Sequence, residues 1–262
     1  MELGICSTFG YKLTFEERIK LIKDAGFKSV MIWWGENTKE NEDDQKAQPE
    51  IIRKYNLKIE NAHFSFAGID SIWNDSPDGD YLLKKYISYI DDCKTYGIPA
   101  AVMHVTGSDN PLPYNNLGLD RFKKLVEKAG KNDIAIALEN VWRPDYLDYL
   151  FNNIKSDYLK FCYDSGHENC FTKDFDYLSK YGGRLAALHL HDNDGKSDQH
   201  DLPFSGTVDW KRIMKKLGEI NYKGPLSLEI NAKYSGELNE YTAEAYLLEA
   251  KKRADRLMEF EV

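Results

Sequence analysis

Ile134-Ala-Ile-Ala-Leu-Glu139 is an apolar run with the length of a β-strand, and it ends on a carboxylate. Five further strand-like runs also end on a side chain that can bind a metal ion: NAHFS at His63, AVMHV at His104, FCYDSGH at Asp164, LAALHLHD at His189 and LSLEI at Glu229. A recurrence of about one strand per thirty residues is typical of a (β/α)8 barrel, whose functional groups gather where the strands finish. The sequence therefore predicts a barrel with a metal site at that face.

Strands and helices alternate along the whole sequence. Strands are predicted near residues 2–7, 29–34, 59–64, 100–105, 134–139, 159–164, 185–191 and 225–230, and helices near 43–55, 80–96, 118–130, 145–154, 173–181, 209–218 and 240–259. A first helix begins at Thr14, which forms a capping box with Glu17, and ends at Gly26. This alternation predicts a parallel sheet, with residues 1–262 forming a single α/β domain, a (β/α)8 TIM barrel. The polar connections at 36–42, 67–79, 106–116 and 193–207 follow strands, so we expect them to rise over the functional face as lids.

The alternation of side chains along each strand, here called its parity, predicts which side chains meet inside the barrel. Alternate residues of a barrel strand face the bore and the others face the helices. If Ile136 and Leu138 face the helices, Glu139 faces the bore, and the same reasoning places Glu229 and His189 inside and Ala186 outside. Buried carboxylates need a cationic partner, so their convergence implies a bound cation. Carboxylates mixed with imidazoles suit Zn²⁺ or Mn²⁺.

Composition narrows the class of substrate and the compartment. The net charge of −8 and the pI near 5.4 disfavour broad electrostatic attraction to nucleic acid, so a small substrate is expected. The first residues lack the features of a signal peptide, and no stretch approaches the roughly 18 apolar residues of a membrane span. We therefore expect a cytoplasmic protein with no membrane association. The four cysteines show no paired spacing and are expected to be buried or incidental thiols.

Four segments resemble one known family across essentially the whole chain. ALEN, YDSGH, LHLHDND followed by SDQHDLPFSGTVDW, and LSLEI look like the xylose isomerase-like barrel superfamily. That superfamily joins sugar isomerases and epimerases to apurinic (AP) endonucleases of the endonuclease IV type, AP endonuclease family 2. The epimerase branch holds one divalent metal ion, and the resemblance assigns its ligands to Glu139, Asp164, His189 and Glu229. The endonuclease branch binds three zinc ions, and its additional ligands match His63, His104, His167, Asp198 and His200.

The two branches imply different reactions at the same residues. In the isomerase interpretation, Glu139 and Glu229 are the catalytic acid and base, and they move a proton through an enediolate of a sugar or sugar phosphate while the metal ion acts as a Lewis acid. In the endonuclease interpretation, up to three zinc ions activate a hydroxide that attacks a phosphodiester. A dehydratase of a keto-polyol also fits the superfamily, whereas an inactive binding barrel is disfavoured because no core ligand is lost. Relatives are commonly dimers or tetramers, so the sequence allows a homo-oligomer but does not fix the oligomeric state.

The connections after the strands favour the isomerase interpretation. They read ENTKENEDD, GIDSIWNDSPDGD and TGSDNPLPYNN, which are acidic or neutral and carry aromatic residues fit to stack on a sugar. A nucleic-acid enzyme needs clustered Lys and Arg instead. The expected substrate is therefore a small carbohydrate. The resemblance implies that His167 helps to bind it, Trp33 and Lys196 are further predicted substrate contacts, and His191 is predicted to contact either the substrate or a metal ligand. The arginine that the epimerases place after the histidine ligand is absent, because Gly195 stands there with Lys196 beside it.

Each candidate also has a structural interpretation that the sequence leaves open. His63 and His104 could be polar plugs of the core, and Asp198 and His200 could belong to an ordinary solvated loop.

Overall fold

Eight parallel strands form a nearly closed barrel, as the sequence predicts. The structure is a computed structural model, and it describes residues 1–35, 44–234 and 240–260. The strands are β1 Leu3–Cys6, β2 Ser29–Trp34, β3 Lys58–Phe64, β4 Ala100–Met103, β5 Ala135–Glu139, β6 Leu159–Asp164, β7 Leu185–His189 and β8 Leu226–Leu228. The order around the sheet is β7-β6-β5-β4-β3-β2-β1-β8. Backbone bonds from Leu190 N to Ser227 O (2.9 Å) and from Glu229 N to Leu190 O (3.1 Å) join β7 to β8.

Helices fill the gaps between the strands. Within the described ranges they are α1 Phe15–Asp24, α2 Gln48–Lys54, α3 Pro77–Tyr96, α4 Asn116–Asn132, α5 Pro144–Asn153, α6 Ser165–Phe171, α7 Tyr177–Tyr181, α8 Trp210–Glu219 and α9 Ala243–Leu257. The predicted capping box is present at α1, where Glu17 N donates to Thr14 Oγ1 and Thr14 N donates to Glu17 Oε2. In the described part of the chain, no helix combines the length and the apolar character that crossing a membrane requires.

The element boundaries depart from the prediction at two places. α6 was not predicted, and α7 is shorter than the helix predicted over 173–181. α6 forms because Asp164 caps it, with the His167 amide donating to Asp164 Oδ1 at 2.6 Å. The predicted helix over 43–55 starts at a residue outside the described ranges, and its described part is the 3-10 turn Gln45–Ala47 followed by α2. The connection predicted at 36–42 lies outside the described residues.

Two apolar clusters separate the bore from the outer layer. Ile136, Leu138 and Leu188 belong to the large cluster between sheet and helices, as the parity predicts. A small bore cluster contains Val102, Ala137, Cys162 and Ala187. Ala186 packs against this bore cluster, so its predicted outward position was wrong. The cause is a register shift between β6 and β7 at Phe161/Cys162, which changes the parity of the first residues of β7.

Candidate metal centre

All six histidines of the chain and four of its carboxylates meet at the carboxyl ends of the strands. His63 lies in β3, Glu139 ends β5, Asp164 ends β6 and His189 ends β7. The others directly follow a strand or lie in α6 or in the loop after β7, and they are His104, His167, His191, Asp198, His200 and Glu229. Eight of these ten residues are buried, and the side chains of Asp198 and His200 are 29% and 21% exposed. The predicted convergence of the strand ends therefore exists, and it includes every metal ligand that the sequence predicted.

Glu139 lies at the centre of the inner half of this cluster. Its Oε2 is 3.0 Å from His63 Nε2 and 3.3 Å from His104 Nε2. Its Oε1 is 3.2 Å from His189 Nδ1. Burial opposes ionisation of Glu139, but the charges of His189 and His104 outweigh that effect, so the pKa of the carboxyl lies well below its usual value. Glu139 is thus an ionised carboxylate with imidazoles at both of its oxygens.

Glu229 approaches the same imidazole from β8. Its Oε2 is 3.0 Å from His189 Nδ1, so Glu139 and Glu229 both lie within 3.2 Å of one nitrogen atom. Burial acts to raise the pKa of Glu229, but the charge and hydrogen bond of His189 have the larger effect and lower it to about 2. The pKa of His189 is raised well above its usual value despite burial, because Cys162 and the two glutamates surround it. Two ionised carboxylates therefore share one buried imidazole.

Asp198 forms the outer half of the cluster. Its Oδ2 is 3.4 Å from His167 Nε2 and 3.1 Å from His200 Nε2. His191 Nε2 lies between Asp198 Oδ1 (3.5 Å) and Asp164 Oδ1 (3.1 Å). The backbone of His200 adopts a left-handed conformation with φ +50°, which is strained for a residue with a side chain. Such strain is retained where the surrounding structure fixes the side chain for a function.

The tautomers of three histidines indicate that this cluster is built for a cation. The Nδ1 atoms of His63, His167 and His200 lie 3.0, 3.0 and 2.8 Å from backbone carbonyl oxygens, so each of these nitrogens carries the hydrogen and donates it. The Nε2 lone pair of a neutral ring then faces a carboxylate oxygen at 3.0 to 3.4 Å. Two lone pairs at this distance repel unless a proton or a metal ion lies between them. Orienting a metal-binding imidazole through its other nitrogen is a common feature of metal sites.

Buried polar atoms without a partner point to the same conclusion. In the described structure, His104 Nδ1, His189 Nε2, His191 Nδ1 and Asp198 Oδ1 are buried and accept or donate no hydrogen bond. Burying polar atoms without hydrogen-bond partners lowers the stability of the fold unless a bound ligand interacts with them. The residues present therefore fit a divalent metal ion, and the mixture of carboxylate oxygens with imidazole nitrogens suits Zn²⁺ or Mn²⁺.

Aromatic rings cover the cluster on the side of β2 and β3. The Trp33 ring centre is 4.2 Å from that of His63, and Trp33 Nε1 donates to Thr8 Oγ1 at 3.0 Å. Trp34 points to the helices, with Nε1 donating to Asp92 Oδ2 of α3. Phe66 stacks on His104 at 4.3 Å and is 41% exposed. Sequence reasoning missed Phe66, because nothing in the sequence distinguishes an aromatic residue of a loop above a site from one elsewhere.

Of the residues predicted to contact substrate, Lys196 lies elsewhere than expected, and His191 lies beside the predicted ligand Asp164, in line with its alternative prediction. His191 is fully buried, and its Nε2 faces Asp164 and Asp198, so it does not face the open side of the cluster. Lys196 is exposed on the loop after β7, where its amide donates to Asp194 Oδ1. Among the described residues, its ammonium group forms no ion pair with the cluster. The loop carries Lys196 outward because Gly195 turns the chain with φ +78°.

The rim above the cluster carries little positive charge. The loops at 67–79 and 106–116 contain no Lys or Arg, and they contribute Asp70, Asp75, Asp78 and Asp109. Asp70 joins the two loops, because its carboxylate accepts from Gly107 N (2.8 Å) and Ser108 Oγ (3.1 Å). This part of the rim offers hydrogen-bond acceptors and no phosphate-binding cations.

Sequence comparison places the chain among proteins of one fold family. The model of the family described as xylose isomerase-like TIM barrel matches residues 19–253. The uncharacterized protein y4fM of Sinorhizobium fredii is 33% identical over 154 residues, which are 53% of this chain and 50% of that protein. Fructoselysine 3-epimerase of Escherichia coli O157:H7 is 32% identical over 69 residues, which are 26% of this chain and 25% of that protein. The matches thus span half or less of these curated relatives.

Solved structures share the fold over nearly the whole chain. D-psicose 3-epimerase of Clostridium cellulolyticum H10, crystallised with D-tagatose, has a TM-score of 0.79 at 13% identity and covers 99% of both chains. The IOLI protein with a bound zinc atom has a TM-score of 0.78 at 17% identity, over 98% of this chain and 96% of that one. At these identities the likeness establishes the barrel and its topology.

Proposed function

The chain belongs to the xylose isomerase-like TIM barrel family, and we propose that it is a divalent-metal-dependent isomerase or epimerase of a sugar or sugar phosphate. The observation that carries this proposal is the pair of ionised carboxylates, Glu139 and Glu229, that meet at one imidazole of the buried cluster. Sugar epimerisation needs two proton carriers on either side of one carbon atom. The sequence likeness to a fructoselysine epimerase and the fold shared with a psicose epimerase support the same reaction class.

The residues divide the work of this reaction. Glu139, Asp164, His189 and Glu229 would hold the divalent ion, which supplies Lewis acidity toward the carbonyl and hydroxyl oxygens of the sugar. One glutamate takes the proton from the carbon beside the carbonyl. The electron pair of the broken C–H bond forms the C=C bond of an enediolate, and the π pair of the C=O bond moves to the oxygen. The other glutamate then returns a proton, on the opposite face for epimerisation or on the neighbouring carbon for isomerisation. The lowered pKa values of both groups keep them ionised at neutral pH, which is the form that a metal ligand and a general base require.

The rim of the site supports a carbohydrate as substrate. Trp33 and Phe66 present ring faces beside the inner ligands, and such faces stack on the C–H groups of a sugar. The loops at 67–79 and 106–116 offer acceptors for hydroxyl groups and no clustered cations for a DNA backbone.

Exchange of substrate hydrogen with solvent deuterium tests the proposal. A panel of ketoses and ketose phosphates is incubated in D₂O with the metal-loaded protein, and NMR detects deuterium at the reacting carbon. Glu139→Gln and Glu229→Gln are each expected to lose at least about 10²-fold in exchange rate, because removing a general acid or base has that effect. Glu127→Gln is the control, since Glu127 is an exposed glutamate of α4 that pairs with Lys131. Exchange at the wild-type rate in both glutamine variants of the cluster contradicts the assigned roles.

Phosphodiester hydrolysis is a second candidate, and one observation favours it. Glu139 has imidazoles at both of its oxygens: His63 and His104 at Oε2, and His189 at Oε1. A carboxylate that bridges two metal ions has the same arrangement. Two ions flanking a phosphodiester stabilise both the attacking and the leaving oxygen. Cleavage of bis(4-nitrophenyl) phosphate or of a duplex with an abasic site, without exchange in any sugar, selects this candidate.

A further inference from the structure

We propose that His191 takes the place of a metal ion between Asp164 and Asp198, and that it thereby limits how many ions the centre binds. Neither the family match nor the relatives assign a role to this residue. The inference deepens the proposed function, because it concerns the number of ions at the same site. It is tested by metal content, which does not depend on the identity of the substrate.

The contacts of His191 show that its ring lies between the carboxylates of Asp164 and Asp198. A single nitrogen, Nε2, lies 3.1 and 3.2 Å from the two oxygens of Asp164 and 3.5 Å from Asp198 Oδ1. The ring is fully buried and stacks on His200 with centroids 4.1 Å apart and planes 16° apart. Two carboxylates held this close to one buried point repel each other unless a cation or a hydrogen-bond donor lies between them. The structure places the His191 ring there: its Nε2 contacts both oxygens of Asp164, and Asp198 Oδ1, 3.5 Å away, accepts no hydrogen bond.

The segment between two predicted ligands is shaped to hold this ring. Asp164 and His167 are separated by Ser165 and Gly166, and both of these intervening residues contact His191. Ser165 Oγ donates to His191 O (2.7 Å) and accepts from His191 N (3.0 Å), so it fixes the backbone. A Cβ atom at Gly166 would lie 1.9 Å from His191 Cε1 and 2.4 Å from Nδ1, so only glycine leaves room for the ring. The Asp-Ser-Gly-His sequence therefore positions His191 as well as supplying two ligands.

Removing the imidazole would leave a set of donors that suits a metal ion. Asp164, His167, Asp198 and His200 would surround the vacated space with two carboxylates and two imidazoles, and His167 and His200 already direct Nε2 toward Asp198. Four such ligands satisfy the tetrahedral preference of Zn²⁺. We therefore expect an additional ion to bind beside Asp198 once the imidazole of His191 is removed.

Zinc content measured by elemental analysis, after loading and extensive dialysis, tests the proposal. His191→Ala is expected to bind one more zinc ion per chain than the wild type. An equal or lower content overturns the proposal, and a lower content identifies His191 as a ligand itself. Circular dichroism and thermal melting establish that the variant is folded before its metal content is compared.

Gly166→Ala provides an independent route to the same displacement. Its Cβ would overlap the His191 ring, which must then leave its present position although no imidazole is removed. The zinc content is again expected to rise, and an unchanged content in this folded variant also overturns the proposal. Gly183→Ala is the matched control, because a Cβ there meets nothing within 4 Å, and it is expected to keep the wild-type content. Failure of the proposed function has a different signature, since it removes deuterium exchange in the wild type and leaves these differences in zinc content intact.

Discussion

Raising the pH from about 6 to about 10 is expected to destabilise the metal-free protein through the pair of His200 and Asp198. Burial lowers the pKa of His200, but the hydrogen bond and charge of Asp198 outweigh burial and raise it from 6.5 to about 9. A folded-state pKa above the unfolded value means that the stabilisation is complete below about pH 6.5 and is lost as the pH rises through about 9. The shift corresponds to about 3 kcal/mol of the free energy of unfolding.

Urea denaturation of the chelator-treated wild type and of His200→Gln measures this contribution. Subtracting the variant from the wild type at each pH removes the titration of groups that both proteins share. The stability difference is expected to shrink by about 3 kcal/mol between about pH 6 and about pH 10. A difference that stays constant or grows with pH refutes the reasoning. NMR offers a parallel measurement, because all six histidines of the chain belong to the cluster and every histidine signal reports on it.

Three further results are expected. Loading the metal-free protein with one zinc ion at about pH 7 releases about one proton per chain, because His189 is the one proposed ligand with a raised imidazole pKa. Calorimetry in buffers of different ionisation enthalpy measures this release. Gly118→Ala lowers the free energy of unfolding by about 1–3 kcal/mol, because its Cβ would lie 2.1 Å from the Trp73 ring. Arg121→Met lowers the free energy of unfolding by about 2–4 kcal/mol, since the buried guanidinium donates to Ile72 O and Asp80. Urea denaturation measures the stability of both variants.

The strand ends were predictable because two independent regularities coincide there. Apolar alternation marks the strands, and in a parallel barrel all strands finish at one face, so a polar residue that ends such a run must join the others. Glu139 and Glu229 follow directly from this reasoning, and the structure brings their carboxylates to the same imidazole. The parallel barrel was therefore predictable from periodicity.

The parts that the sequence left undetermined depend on tertiary contacts. Sequence periodicity could not predict α6, because its start depends on one carboxylate capping a backbone amide. Nor could it show that His191 is buried, since the reason lies in the missing Cβ of Gly166, far away in sequence. Lys196 looked like a substrate contact because it lies near the ligands in sequence, but a glycine turn carries it outward. Position along a loop is a poor guide to position around a site.

Charge balance connects the number of metal ions to the kind of substrate. Glu139, Asp164 and Glu229 are buried and Asp198 is partly buried, so the four carboxylates need positive charge nearby. The cluster is neutral with one divalent ion in the inner half and two protonated imidazoles in the outer half. The raised pKa values of His167 and His200 favour that protonation. A neutral cluster suits an uncharged polyol. Three divalent ions with neutral imidazoles give a net charge of about +2, which attracts a phosphate anion. With His191 between Asp164 and Asp198 as proposed above, the centre binds fewer ions, and the resulting neutral cluster supports the proposed sugar chemistry over the phosphodiester alternative.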